Sequence, residues 1–173
     1  MVFEFDILNW IQTLHSPLLD KVMTLISTLG NSGFIFILVG LVFLIRKKDR
    51  KMGITILMSL ILCLVFGNML LKPLIARPRP FTIKDIELLI KAPTDFSFPS
   101  GHTYSAFATA TSLYLYNKKP GVGFFIFAAI MGFSRLYLYV HYPTDVLAGA
   151  VIGVGFGIIS RQIVDYLEKR LTR

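Results

Sequence analysis

The feature that most constrains this chain is a run of twenty residues, 52–71, without one charged side chain. As a helix it measures about 30 Å, the thickness of a bilayer's hydrocarbon core. It is not isolated. Residues 101–116 hold no charge apart from a protonated His102, residues 121–139 hold only Arg135, and residues 144–160 hold only Asp145. A fifth apolar stretch covers 33–45 and a few preceding residues. Apolar blocks divided by short charged clusters predict an all-α integral membrane protein, a bundle of five transmembrane helices with six as the alternative. Composition agrees: 54% of the residues are hydrophobic and 16% charged, where an ordinary soluble domain carries about a quarter.

Residues 1–14 contain Glu4 and Asp6 and no basic residue, so no cleavable signal peptide is expected. Phe3, Ile7, Trp10, Ile11 and Leu14 recur at helical spacing with Asp6, Asn9 and Gln12 between them, which predicts an amphipathic helix in the interface. Residues 18–29 are too short to span alone and include Asp20 and Lys21. They read as a second interfacial or partly inserted helix, ended near Gly30 and Asn31. The whole chain, 1–173, is thus expected to form a single membrane domain, with 1–30 interfacial and 33–165 the bundle. The single cysteine, Cys63, lies in an apolar run and excludes an internal disulfide or a multi-cysteine metal site.

The net charge of +8 is arranged as a membrane protein arranges it. Five Lys/Arg lie within 46–51, Lys118 and Lys119 lie in the next turn on that side, and Arg161, Lys169, Arg170 and Arg173 lie in the tail. These eleven of eighteen basic residues define a cytoplasmic side, with an N-terminus outside. Cations at the ends of apolar runs argue for anionic lipid and against nucleic acid. The remaining seven (Lys21, Lys72, Arg77, Arg79, Lys84, Lys91 and Arg135) fall on the wrong side for this rule, most of them in one loop. Something outside needs positive charge.

Three segments converge on that outer face: Lys72 through Pro80, Phe98-Pro99-Ser100-Gly101-His102, and Ser134-Arg135 followed by His141 through Asp145. Lys72, Arg79 and Arg135 at a membrane boundary imply an anionic partner from outside the chain, and arginine's fork of donors suits phosphate. Helices starting near Ser100 and Thr144 aim free N–H groups at the same place, and Gly101 offers no side chain to obstruct them. His141 and Asp145, four apart, are spaced to meet across one turn, so that the carboxylate fixes the imidazole tautomer. His102 is left to act as general acid toward a leaving oxygen. These are the parts phosphoryl transfer needs. No Asp/Glu/His cluster shows metal-ligand spacing, so catalysis without metal or cofactor is expected.

Lys72-x6-Arg79-Pro80, Pro99-Ser100-Gly101-His102 and Ser134-Arg135-x5-His141-x3-Asp145 together resemble the three-part signature of the type-2 phosphatidic acid phosphatase superfamily. The resemblance runs over 72–145 and meets every signature position in order. It implies a helical membrane fold and a lipid phosphatase with a phosphohistidine intermediate on His141, partnered by Asp145. It also implies that His102 is the acid, with Lys72, Arg79, Ser100, Gly101 and Arg135 holding the phosphate. Many relatives carry a further span before the region resembling 5–19, and this chain is expected to be too short for it. Small size and minimal loops resemble bacterial envelope enzymes acting on lipid A 1-phosphate, undecaprenyl diphosphate or phosphatidylglycerol phosphate, in the inner membrane with the site facing the periplasm or exterior. Transfer to another lipid acceptor, haloperoxidase chemistry and anion transport are the competing readings. The partners expected are the bilayer and a lipid-linked phosphate; nothing in the sequence calls for an obligate protein partner.

Several residues have plainer readings. Arg77 reads equally well as a snorkelling anchor. Gly149, Gly153, Gly155 and Gly157 are spaced for close helix packing. Tyr104, Tyr137 and Tyr142 are placed to touch substrate. Residues 82–90 carry Thr82 and Asp85 at capping-box-like spacing, which reads as a short helix over the site or as a solvated loop. Lys84 and Lys91 in that stretch are placed to meet a headgroup.

Overall fold

A computed structural model describes residues 2–171. Arg173 of the predicted cytoplasmic tail lies outside the described residues, with Met1 and Thr172. All regular structure among the described residues is helical: α1 (Val2–Gln12), α2 (Pro17–Leu29), α3 (Phe34–Ile45), α4 (Arg50–Leu62), a π-helical segment (Cys63–Leu71), α5 (Lys72–Ile75), α6 (Pro80–Ile83), α7 (Gly101–Tyr114), α8 (Lys118–Tyr137) and α9 (Pro143–Leu171).

Three segments are long and apolar enough to cross a membrane: Lys47–Ile83, Lys118–Tyr137 and Pro143–Leu171. A fourth forms if α2 and α3 count as one broken span, bent by 49°. The break falls at Ser32 (φ 53°) and Gly33 (φ 71°), both in the left-handed region. The remaining apolar block, α7, has only 14 residues, about 21 Å of helix. Length alone therefore supports three or four crossings, fewer than the five expected from the apolar blocks.

Position explains how α7 is short. It is the central helix, flanked by α8, α9 and α4, and Thr103, Ala106, Ala108, Thr109, Ala110, Ser112 and Leu113 on it are fully buried. In lipid, helices gain little from apolar burial alone, so small residues that admit close backbones decide the packing. A Cβ at Gly153 of α9 would sit 2.4 Å from the Tyr104 carbonyl oxygen, and one at Gly149 or Gly157 would come within 2.9 Å of Ser100 or 2.6 Å of Thr111. Gly155 faces open space, so it is not part of that contact.

The amphipathic reading of α1 has the buried face rotated. Glu4, Leu8 and Ile11 are buried, whereas Phe3 and Trp10 are 74% and 62% exposed. Helix α1 has two apolar faces: one packs on Tyr139 and Tyr142, and the other is free for lipid. Helix α2 shows the same division, with Leu18, Val22, Leu25 and Leu29 exposed along one stripe. Residues 84–90 are not helical. Thr82 donates to the Arg79 carbonyl instead of capping, and Ile86, Leu88 and Ile90 lay the chain across the tyrosines of the α8–α9 turn.

The basic segments gather at one end. There Lys51 pairs with Asp165 and Glu168, Arg161 pairs with Asp165, and the Arg161 guanidinium lies 3.8 Å from the Tyr116 ring centroid. The three signature segments occupy the other end.

Candidate active site

Local geometry delivers each side chain. The π segment closes on an i→i−5 bond from the Lys72 N–H to the Gly67 carbonyl. Such wide turns re-aim the residues that follow, and Lys72 is 5% exposed rather than directed at lipid. Helix α8 stops at Tyr137, and Tyr139 (φ 57°) turns the chain so that His141 points back under the bundle. Pro143 then opens α9, placing Asp145 in its first turn.

His141 is 1% exposed. Its Nδ1 lies 3.5 Å from Asp145 Oδ2 and 3.5 Å from Ser97 Oγ, and its Nε2 lies 3.2 Å from Arg79 Nη1. A guanidinium can only donate, so Nε2 accepts and Nδ1 carries the proton. That tautomer leaves the Nε2 lone pair toward the cations. Burial first, then the charges of Arg79, Arg135, Lys72 and His102, push His141 well below the usual imidazole range. Both the Arg79 contact at Nε2 and this downward shift favour the neutral ring.

Asp145 is fully buried, and each of its oxygens is held. Oδ2 accepts from Ser97 Oγ at 2.5 Å and from the Tyr142 N–H at 2.9 Å; Oδ1 accepts from Arg77 Nη1 at 2.6 Å. Arg77 is thus no snorkelling anchor. Its side chain is 20% exposed and also meets Glu4 at 2.7 Å.

Around His141, Lys72, Arg79 and Arg135 are 5%, 4% and 2% exposed. Arg135 donates to Ser27 Oγ, while its buried Nε finds no hydrogen-bond partner among the described residues. The anion expected from outside the chain has an internal counterpart. Asp95 pairs with Lys72 and, at 2.6 Å, with Arg79. Burial alone would raise the Asp95 pKa, but Lys72 and then Arg79 hold it down at about 2.

His102 is not free. Its Nε2 lies 3.1 Å from both the Ser27 carbonyl and Asn31 Oδ1, two acceptors that fix a proton on Nε2. Gly30 makes this approach possible, since a Cβ there would stand 2.5 Å from the ring.

A cavity of about 1210 Å³ joins these groups. Lys72, Arg79, Gly101, His102, Arg135 and His141 line it, whereas the fully buried Ser100 and Asp145 do not. The Ser100 N–H is spent on the Asp145 carbonyl at 3.1 Å, and its Oγ accepts from Thr103. Of the three tyrosines placed near substrate, Tyr104 lines the cavity and Tyr137 and Tyr142 do not; Lys91 lines it, whereas Lys84 covers the Phe5 ring. Below the cations the cavity turns apolar, walled by Ile37, Leu57, Leu60, Ile61 and Leu64 of α3, α4 and the π segment.

The PAP2 superfamily model matches residues 52–169. This chain belongs to the PAP2 superfamily. An undecaprenyl-diphosphatase of Sulfolobus acidocaldarius is 34% identical over 93% of this PAP2 chain and 78% of its own length. Among solved structures, LpxE of Aquifex aeolicus superposes with a TM-score of 0.81 at 32% identity, covering 92% of this chain and 95% of its own. A transmembrane PAP2-type phosphatidylglycerolphosphate phosphatase from Bacillus subtilis superposes at 0.78 with 27% identity, over 95% of this chain and 86% of its own. Asp95, Ser97 and Arg77 are the residues of this PAP2 site that motif reading misses. Ser97 and Asp95 lie three and five residues before Ser100 of the second motif, and Arg77 was visible as one of the wrong-side cations.

Proposed function

We propose that this chain hydrolyses a phosphate ester or anhydride of a membrane lipid through a phosphohistidine on His141. The observation that carries the reading is the two-part cavity. One limb is ringed by three buried cations around a neutral imidazole, and the other is apolar and opens between helices. A lipid phosphate has the same division. In the first step His141 Nε2 attacks phosphorus, the bond from phosphorus to the lipid oxygen breaks, and a protonated His102, whose Nε2–H stays with Ser27 and Asn31, gives that oxygen its Nδ1 proton. Lys72, Arg79 and Arg135 neutralise the equatorial oxygens, displacing Asp95 from the first two. In the second step His102 takes a proton from water, whose oxygen attacks phosphorus as Nε2 leaves. Asp145 and Ser97 hold the Nδ1 side throughout.

The sidedness of the basic segments supports five crossings, with α7 as the short central one, the α2–α3 pair as one span, and the site on the non-cytoplasmic side. The assay that tests the reading measures phosphate release from undecaprenyl diphosphate, lipid A 1-phosphate and phosphatidylglycerol phosphate in detergent micelles. Release from at least one lipid, lost in His141→Ala, is expected. Equal release by the variant would sink the proposal, and release to a second lipid instead of water would make the enzyme a transferase.

A further inference from the structure

Arg77 reaches Asp145 by two routes. Its Nη1 donates to Asp145 Oδ1 at 2.6 Å, and its carbonyl accepts from the Ser97 N–H at 2.9 Å, fixing the serine whose Oγ holds Asp145 Oδ2. The same Nη1 donates to Thr144 Oγ1 at 2.7 Å, Nη2 donates to Glu4 Oε2 at 2.7 Å, and Thr144 Oγ1 donates to Glu4 Oε1 at 2.6 Å. The circuit closes over Tyr142, whose ring centroid lies 3.9 Å from the guanidinium and whose ring also meets Phe5 of α1 edge-on. Yet Arg77 does not line the cavity. A phosphate held there meets Lys72, Arg79 and Arg135 but not Arg77.

Resting on the proposed reaction, we propose that Arg77 is a positioning residue which divides the charge of Asp145 between itself and His141, with Glu4 of α1 setting the division. The physical reason is competition for one carboxylate. A buried Asp145 facing His141 alone stabilises the imidazolium fully. With Arg77 bound at Oδ1, much of that charge is already neutralised, and the ring stays neutral and nucleophilic. Glu4 works against this by drawing the guanidinium toward α1. An interfacial helix thereby touches the catalytic pair through two side chains.

The groups facing His141 are Arg79 with its partner Asp95, Lys72 of α5, His102 of α7, Arg135 of α8, and Asp145 with Ser97. Arg77→Met leaves all of them in place, so its effect on the His141 titration comes through Asp145. Removing Arg77 raises the folded pKa of His141, and the acidic limb of kcat/KM then moves to higher pH.

The test measures kcat, KM and the pH profile of kcat/KM for Arg77→Met, Arg77→Lys and Glu4→Gln, using a short-chain lipid phosphate in micelles and inorganic phosphate as inhibitor. For Arg77→Met a fall in kcat of about 10- to 100-fold is expected, with the acidic limb shifted upward and inhibition by phosphate unchanged within about twofold. Arg77→Lys should return the limb toward wild type while restoring kcat only in part, because one ammonium cannot span Asp145 and Glu4. Glu4→Gln, the mildest change, should move the limb downward. Weakened phosphate inhibition with an unmoved limb would make Arg77 a phosphate ligand and overturn the inference. Lower kcat with an unmoved limb in all three variants would reduce it to a structural brace, which also overturns it. If His141→Ala is inactive while these limbs stay fixed, only this inference fails and the hydrolase reading stands.

Discussion

The two ends of the molecule are both rich in Lys and Arg, and they use the charge differently. At the end formed by 46–51, 117–120 and the last turns of α9, most of the cations lie on the surface, although Arg161 keeps a buried Nη1 without a hydrogen-bond partner among the described residues. Arg46 is 62% exposed at its side chain and Lys51 33%, and their partners Asp49, Asp165 and Glu168 sit on the same or adjacent helices. At the other end the side chains of Lys72 and Arg79 are 6% and 4% exposed. They share one carboxylate, Asp95, while Arg135 has a buried donor with no partner among the described residues. Exposed pairs in water are worth at most about 1 kcal/mol. Buried cations carry a desolvation cost that a fold tolerates when an anion arrives to meet them. The first end has the pattern that the positive-inside rule reads as orientation; on the proposed function, the second is the end that binds.

The largest break in that comparison comes from Arg135→Met. If the buried cations do chemistry, kcat should fall by about 10²- to 10³-fold, the cost of removing one preorganised charge from a developing oxyanion. A rise in KM with kcat unchanged would assign Arg135 to ground-state binding instead. A smaller effect is expected at Asp95, which pairs with the two cations that the proposed function gives to the substrate phosphate. Asp95→Asn should tighten inhibition by inorganic phosphate several-fold, and weaker inhibition would mean that Asp95 instead holds Lys72 and Arg79 in register. Its folded pKa of about 2 is below the unfolded value of about 3.9. The stability this pair contributes is therefore fully present above about pH 4 and is lost as pH falls toward 2, modestly, because Asp95 is half exposed. Melting curves of wild type and Asp95→Asn should converge over that window. The smallest effect belongs to the exposed end. Lys51→Met should change turnover by less than about twofold and stability by less than about 1 kcal/mol.

Much of the site was legible because its chemistry is local. His141 and Asp145 are one helical turn apart, and Lys72, Arg79, His102 and Arg135 each sit beside a helix end that hydropathy locates. The site's supports were not legible, since they are long-range contacts of ordinary residues. Glu4 meets Arg77 from 73 positions away, Ser27 meets Arg135 from 108 away, and Asp95 reaches back to Lys72 from an irregular loop. The anion expected from outside was foreseen as a need for negative charge, but the chain's own Asp95 was not seen to meet it. The span count was harder to read than the helix limits. The helix read over 101–116 is observed over 101–114, about 21 Å long, and it sits buried against Gly149, Gly153 and Gly157.

The most direct test is to trap the enzyme during turnover, quench in base, and locate the phosphoryl group by peptide mass. The account predicts an acid-labile, base-stable phosphoryl group on His141, absent in His141→Ala together with phosphate release, which should fall by about 10⁴-fold or more. Phosphate release at the wild-type rate by His141→Ala, or a phosphoryl group on another residue, would contradict it.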